Sequence, residues 1–243
     1  MSGHSKWATI HRDKAVADHK RGKIFTQLGR AITVAVREGG GISDPASNFR
    51  LRIAIEKARV ASMPKENIKR AIQQAQGLRG GQFESVTYEG YGPHQVGIIV
   101  ECMTDNHQRT GQEVKNIFNK NGGSLARPGA VSFQFEKMGL LTISKSADSQ
   151  ELILKVMDID GVRDVEEASD TIEIYTQADK LEAVRIALEE NSFQVTSAEL
   201  ILKPKVTVVI AQEDKARKVL EFVEKLEELD DVQKIFTNFD IKK

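Results

Sequence analysis

Six basic side chains fall within the first 23 residues: Lys6, Arg12, Lys14, Lys20, Arg21 and Lys23. Trp7, the one tryptophan of the chain, lies among them. Little apolar matter accompanies them before Ile24 and Phe25, so the segment gains little by burying itself. Ammonium and guanidinium groups in such a run neutralise phosphates and release counterions. Arg30, Arg50, Arg52 and Arg59 extend the basic set into the residues that follow. Residues 1–72 hold 15 basic and 6 acidic side chains, a net of +9; residues 73–243 hold 20 and 29, a net of −9. A formal net charge of zero therefore conceals a basic head and an acidic body. The plain alternative is a set of charged helices that are merely solvated. The functional reading is a nucleic-acid-binding set of Lys6, Trp7, Arg12, Lys14, Lys20, Arg21, Lys23, Arg30, Arg50, Arg52 and Arg59. Trp7 has two roles open to it: an apolar anchor that pins the segment, or a plane on which a base stacks.

Other chemistry finds no pattern to stand on. The histidines His4, His11, His19, His94 and His107 form no metal-binding spacing, so no metal and no cofactor are expected. Cys102, the lone cysteine, sits in an apolar run and reads as a buried, inert thiol. Gly90-Tyr91-Gly92-Pro93 reads as a turn and not as a phosphate cradle. Glu166-Glu167 and Asp230-Asp231 read as solvated turns beside strands. No serine lies in a nucleophile-elbow context, and the chain is read as non-enzymatic. No apolar run approaches the ~20 residues that span a bilayer. The start lacks a signal-peptide core, and Asp13 and Asp18 speak against a mitochondrial presequence. A cytoplasmic protein is expected.

Two small polar sets stand out. Thr104-Asp105-Asn106 followed by Arg109-Thr110 reads as helix capping, with Asp105, Asn106 and Arg109 as candidate surface contacts. Arg127 lies with Pro128 in a long glycine-containing loop over 121–130 and is a further candidate contact.

Elements that would carry these residues follow from periodicity. A helix is expected over about 20–38, ending at Gly39-Gly40-Gly41, with Gly29 marking a close helix crossing. Asp44-Pro45 is expected to open a second helix with the inner stripe Leu51, Ala54, Ile55, Ala58. Pro64 opens a third, with Ile68, Ala71, Ile72 and Ala75 inward. Gly77-Leu78-Arg79-Gly80-Gly81 reads as a hinge. Beyond it come strands at 86–91, 96–103 and 131–135, with a helix before the last. Residues 139–203 read as a complete βαββαβ unit. Strand, helix and strand follow over 206–210, 213–229 and 232–239. The pieces 96–135 and 206–239 are each strand-helix-strand and would join into a second such unit. The expected fold class is α+β: an N-terminal helical bundle, then two ferredoxin-like α/β domains, one inserted into the other. The expected boundaries are 1–76; 82–137 plus 204–243; and 138–203 for the insert.

Gly3-His4-Ser5-Lys6-Trp7, Lys20-Arg21-Gly22-Lys23-Ile24-Phe25, Met63-Pro64-Lys65-Glu66-Asn67-Ile68, Tyr88-Glu89-Gly90-Tyr91-Gly92-Pro93, Thr104-Asp105-Asn106 and Leu229-Asp230-Asp231-Val232-Gln233 occur in order along the chain. Together they resemble the YebC/PmpR family, which includes the mitochondrial translational activator of cytochrome c oxidase subunit I. The resemblance covers nearly the whole chain. It implies a helical domain followed by two α/β domains, one inserted in the other. It also implies a cytoplasmic transcriptional regulator that binds DNA. Members are tied to translation as well, so the alternative is a ribosome-associated translational activator binding ribosomal RNA and relieving stalling on proline runs. The acidic α/β part would then meet the ribosome or another protein. The chain departs from the family at Thr9-Ile10-His11-Arg12-Asp13, where Asp13 weakens the charge. It departs again at Gln95, where glycine is frequent, and at Arg127-Pro128-Gly129-Ala130.

Overall fold

The computed structural model describes residues 18–76, 84–144, 149–168 and 170–241. Lys6, Trp7, Arg12 and Lys14 lie outside the described residues, as does the glycine-rich hinge. Helix α1, Asp18–Glu38, carries Lys20, Arg21 and Lys23 on its first turns. It turns Ile32, Ala35 and Val36 into an apolar core. It ends as the glycines require: Gly40 and Gly41 have φ of +72° and +81°, and Gly41 N–H donates to Val36 O at 2.8 Å.

Helix α2, Phe49–Val60, is capped by Asn48, whose side chain accepts from Leu51 N–H at 3.1 Å. The expected cap, Asp44, instead closes a turn by accepting from Ala46 N–H at 3.0 Å. Asn48 prevails because its amide has a second task. It donates to Ala35 O and Ile42 O, both at 2.9 Å, stitching the end of α1 to the start of α2. Helix α3, Lys65–Ala75, begins after Pro64 and buries Ile68 and Ala71. Thr33 Oγ1 ties α1 to α3 by donating to Ala71 O at 3.1 Å. No close crossing occurs at Gly29, where an added Cβ would meet only Met63 Cε at 3.7 Å.

The described chain divides into two compact units, residues 18–133 with 208–241, and residues 134–207. In the first unit, β1 (Glu84–Tyr91) and β2 (Gly97–Thr104) form an antiparallel hairpin with Tyr91 opposite Gly97. Helix α4 (His107–Lys120) leads to the short β3, Ser124–Leu125. After the second unit come β8 (Val208–Ile210), α7 (Glu213–Glu227), β9 (Val232–Thr237) and β10 (Phe239–Ile241). The sheet runs β3-β1-β2-β9, while β8 and β10 pair in parallel as a separate ladder. The expected strand over 232–239 is therefore split between two sheets. Phe118 of α4 meets Phe222 of α7 edge-on at 5.0 Å between ring centroids.

The expected strand at 131–135 is not formed. Residues Ser132–Gln134 make a 3-10 turn, and Phe135 opens the next unit's first strand. The first two backbone amides of that stretch, with that of Gly129 before it, are taken by Glu89. Its carboxylate accepts from Gly129, Val131 and Ser132 N–H at 2.8, 2.7 and 2.9 Å.

The second unit is β4 (Phe135–Ser144), α5 (Ser149–Met157), β5 (Val162–Glu167), β6 (Thr171–Gln177), α6 (Leu181–Glu190) and β7 (Val195–Pro204). Its antiparallel sheet runs β5-β6-β4-β7, the split-βαβ order read from the sequence. Leu141, Ile143, Ile172, Ile174, Val184 and Leu188 are among its buried apolar residues.

We propose that 138–203 is a self-contained inserted domain, and that 1–76 and 82–137 plus 204–243 are the other two. Expressed alone, residues 138–203 should unfold in one cooperative thermal transition; a broad, non-cooperative melt would refute this. Gln95 offers a second test, since its φ of +61° is left-handed. Gln95→Gly should raise stability by about 1 kcal/mol, read from denaturant midpoints at unchanged slope.

Candidate nucleic-acid interface

Helices α2 and α3 put cations on their outer faces because their inner positions are taken by apolar residues, several of them small. On α2, Leu51, Ala54, Ile55 and Ala58 point inward, which leaves Arg50 and Arg59 exposed. Arg52 lies with its guanidinium 5.6 Å from the centre of the Phe49 ring, so part of its surface is covered. On α3, Lys65, Lys69 and Arg70 are exposed. These three were not in the expected nucleic-acid set. The helical period that placed Ile68 and Ala71 inside places them outside, and that signal was available.

Arg30, grouped with the phosphate contacts for its charge, stands elsewhere. Its Nη1 is 2.9 Å from Asp231 Oδ1, and the side chain is only 15% exposed. It also donates to the carbonyl of Asp230. Asp231 is not the solvated turn residue expected, for its side chain is 3% exposed. Arg109 Nη2 reaches its other oxygen at 2.7 Å, and Thr110 Oγ1 donates to the same oxygen at 2.5 Å. Thr104 Oγ1 lies 2.7 Å from the Thr110 hydroxyl. The polar set Thr104-Asp105-Asn106…Arg109-Thr110 is thus brought onto Asp231 from a distance of more than a hundred residues. Asn106 caps α4 by accepting from Arg109 N–H at 3.1 Å. Asp105 and Arg109 pair at 3.0 Å and stay partly in water.

Burial alone would raise the Asp231 pKa. Hydrogen bonds from Arg109 and Thr110, with the charges of Arg30 and Arg109, outweigh it and hold the carboxyl below its ordinary 3.8. Cys102 nearby is buried, and burial with the Asp231 charge pushes its thiol up to about 12. Its burial is as expected from the apolar run, and a raised pKa leaves little thiolate near neutral pH.

Glu89 holds the loop that carries Arg127. It is 7% exposed, and burial would raise its pKa. The three backbone amides of Gly129, Val131 and Ser132 reverse this and hold it below 4.5. Tyr91 adds a hydrogen bond to Ala130 O at 2.9 Å. Arg127, Pro128 and Gly129 are exposed at the tip. Glu89 belongs to the Tyr88-Glu89-Gly90-Tyr91-Gly92-Pro93 run, but nothing in its sequence neighbourhood announces a buried carboxylate.

A family model described as "TACO1/YebC protein N-terminal domain" matches residues 5–78, and one described as "TACO1/YebC second and third domain" matches 83–239. The chain belongs to the TACO1/YebC family. A relative from Chloroflexus aurantiacus is 50% identical over 99% of this chain and 96% of its own length. One from Dictyoglomus turgidum is 47% identical over the same shares. Both carry the name "Probable transcriptional regulatory protein". The crystal structure of a conserved hypothetical protein from Aquifex aeolicus superposes with a TM-score of 0.85 at 42% identity, covering 95% of each chain. Among the described residues of this TACO1/YebC protein, no helix is long and apolar enough to cross a membrane.

Two buried carboxylates with lowered pKa give a signed pH dependence. Their stabilisation is present above the ordinary values of 3.8 and 4.5 and is lost as pH falls through the lower folded values. Asp231→Asn should cost about 3 kcal/mol at pH 7. Glu89→Gln should cost about 2 kcal/mol. Both should flatten the fall in Tm below pH 4.5 (Glu89) and 3.8 (Asp231) in thermal melts, relative to the unmodified chain. An equally steep acid limb in the two variants would disprove the assignment.

Proposed function

We propose that this protein is a non-enzymatic, cytoplasmic regulator of transcription that binds DNA through its basic N-terminal region. The observation that carries the reading is the cationic outer surface of α2 and α3. These helices are joined by the four residues 61–64, a connection length used by DNA-binding helix pairs. Lys69 and Arg70 stand exposed on the second of them, with Gln73 and Gln74 partly exposed one turn on. Gln and Arg side chains are the types that read base edges. The names of the relatives agree with this reading. The acidic remainder of the chain repels polyanions and so orients the bound molecule. Lys6, Trp7, Arg12, Lys14, Lys20, Arg21 and Lys23 add phosphate contacts in the same reading.

A second reading, a ribosome-associated translational activator bound to ribosomal RNA, draws on one observation. Glu89 and Tyr91 hydrogen-bond Gly129 and Ala130 and so tie down the exposed tip Arg127-Pro128-Gly129. Folded RNA is met by shape and phosphate contact more than by base edges, and a preset tip suits a crevice.

If about five phosphates are neutralised, log K for a duplex should fall with log salt at a slope near −4 to −5. Lys69→Ala and Arg70→Ala should each weaken binding and reduce that slope by about 1. Slopes unchanged in both would remove α3 from the interface. Crosslinking in cells, with bound DNA and RNA sequenced from one lysate, separates the two readings. Promoter peaks without ribosomal RNA support the regulator; ribosomal RNA crosslinks over flat DNA coverage support the activator and overturn the DNA reading.

A further inference from the structure

We propose that the solvent face of α4, His107–Lys120, is a second contact for duplex DNA, additional to the one on α2 and α3. The inference rests on the reading of this protein as a DNA binder and adds a surface to it. Val114 and Phe118 turn one side of α4 into the core. On the other side Gln108, Gln112, Lys115 and Asn119 recur at steps of four, three and four residues and form one stripe along the helix. All four are exposed, as are Asn116 and Lys120 on the flank of the stripe. None of the exposed residues of α4 is a carboxylate, and its one acid, Glu113, is half-buried.

Helix α7 of the same unit shows a face that is merely solvated: its exposed residues include four carboxylates and four cations. Both helices lie in residues 73–243, where the net charge is −9, and α4 is the exception to that charge. Lys115 and Lys120 form no ion pair among the described residues. A phosphate can therefore take either one without uncovering an acid. Arg109 differs, since Asp105 and Asp231 hold it at 3.0 and 2.7 Å, and it is left out of the contact. Asp231 also takes Arg30 of α1 at 2.9 Å, which ties α4 to the helix on which α2 and α3 pack.

The side chains of the stripe match a duplex. Lysines neutralise phosphates, while Gln and Asn amides offer the paired donor and acceptor that adenine meets in the major groove. Gln112 Nε2 donates to Asn116 Oδ1 at 2.9 Å, which leaves Oε1 of the one to accept and Nδ2 of the other to donate. The major groove of B-form DNA admits an α-helix, and the deep, narrow major groove of A-form RNA does not. A protein partner fits less well. Interface cores are built from aromatic and aliphatic anchors and are poor in lysine. The exposed residues of α4 include no aliphatic side chain and no Phe, Tyr or Trp.

In the full chain, Lys115→Ala with Lys120→Ala should weaken binding of a random-sequence DNA duplex about tenfold and reduce the salt slope by about 2. Gln112→Glu with Asn119→Glu, which sets carboxylates in the stripe, should weaken it at least as much. Lys215→Ala with Lys218→Ala, an equal charge change at exposed positions of α7, should do neither. All three variants should keep the Tm of the unmodified chain. Cys102 is buried and is the one native cysteine, so a photocrosslinker can be placed at a chosen site. On Asn116→Cys it should attach to the duplex, and on Lys218→Cys it should not. Affinity and slope unchanged in both α4 variants would overturn the α4 contact. If Lys69→Ala and Arg70→Ala still weaken binding in that assay, the proposed function stands without it. An unmodified chain that binds no duplex overturns both. Losses confined to an RNA duplex of the same length, or an Asn116→Cys crosslink in lysate to a protein and not to DNA, would refute DNA as the occupant.

Discussion

Asp231 loses its hydration when α1, α4 and β9 come together, and the fold supplies charge in its place. Arg30 brings one guanidinium from α1, Arg109 brings another from α4, and Thr110 adds a hydroxyl. Removing an ion from water costs several kcal/mol, and close partners roughly offset it. The net gain in stability is therefore small. Any arrangement that separates the three elements, however, strands a buried charge. That asymmetry makes the cluster a fixture more than a source of stability. Gln27 Nε2 donates to Val232 O at 3.3 Å, and Met103 N–H donates to Asp231 O at 2.8 Å beside an irregularity in the β2–β9 ladder. Helix α1 is so tied to the strand end, and α2 and α3 pack on α1. The cationic surface of the helices is thereby presented in a fixed attitude within its unit.

Glu89 solves the same desolvation problem by a different route. Its partners are three backbone amides and the Ser132 hydroxyl and carry no formal charge, yet the carboxyl is still held below its ordinary pKa. Amide dipoles that converge on one oxygen pair form a nest for an anion. Here the anion is a side chain of the protein, and the result is a loop with a set shape. A hydrophobic core could not hold residues 126–132 in this way, because a loop has too many backbone polar groups to bury.

The apolar period was legible wherever a helix or strand has one face in a core. The inner stripes of α2 and α3, the glycine stop of α1 and the βαββαβ order of residues 139–203 all follow from spacing alone. Choices among equivalent polar residues were not legible. Asp44 and Asn48 are both good caps, and Asn48 caps α2 because Ala35 O and Ile42 O await its amide. Alternation over 131–135 looked like a strand, but a distant carboxylate claimed the amides. Asp230-Asp231 looked solvated because adjacent acids usually are. One of the two is buried only because arginines some 120 and 200 residues earlier fold onto it. Side-chain partners separated by most of the chain leave no local signal.

The same lesson applies to charge. A net of +9 over residues 1–72 counts every cation equally. In the folded chain they are not equal. Arg30 is engaged by Asp231 and the carbonyl of Asp230, and Arg52 lies against Phe49. Taking such a cation away to meet a phosphate would uncover the group it serves, so its contribution to affinity is reduced by that cost. Exposed cations such as Arg59, Lys65, Lys69 and Arg70 give up only water and counterions. The electrostatic footprint of the helical region is thus narrower than its composition suggests and lies toward α2 and α3. The acidic remainder then matters as much as the basic head. In the proposed function, its negative charge would disfavour contact of a polyanion with the rest of the chain, where a uniformly basic surface would allow contact anywhere.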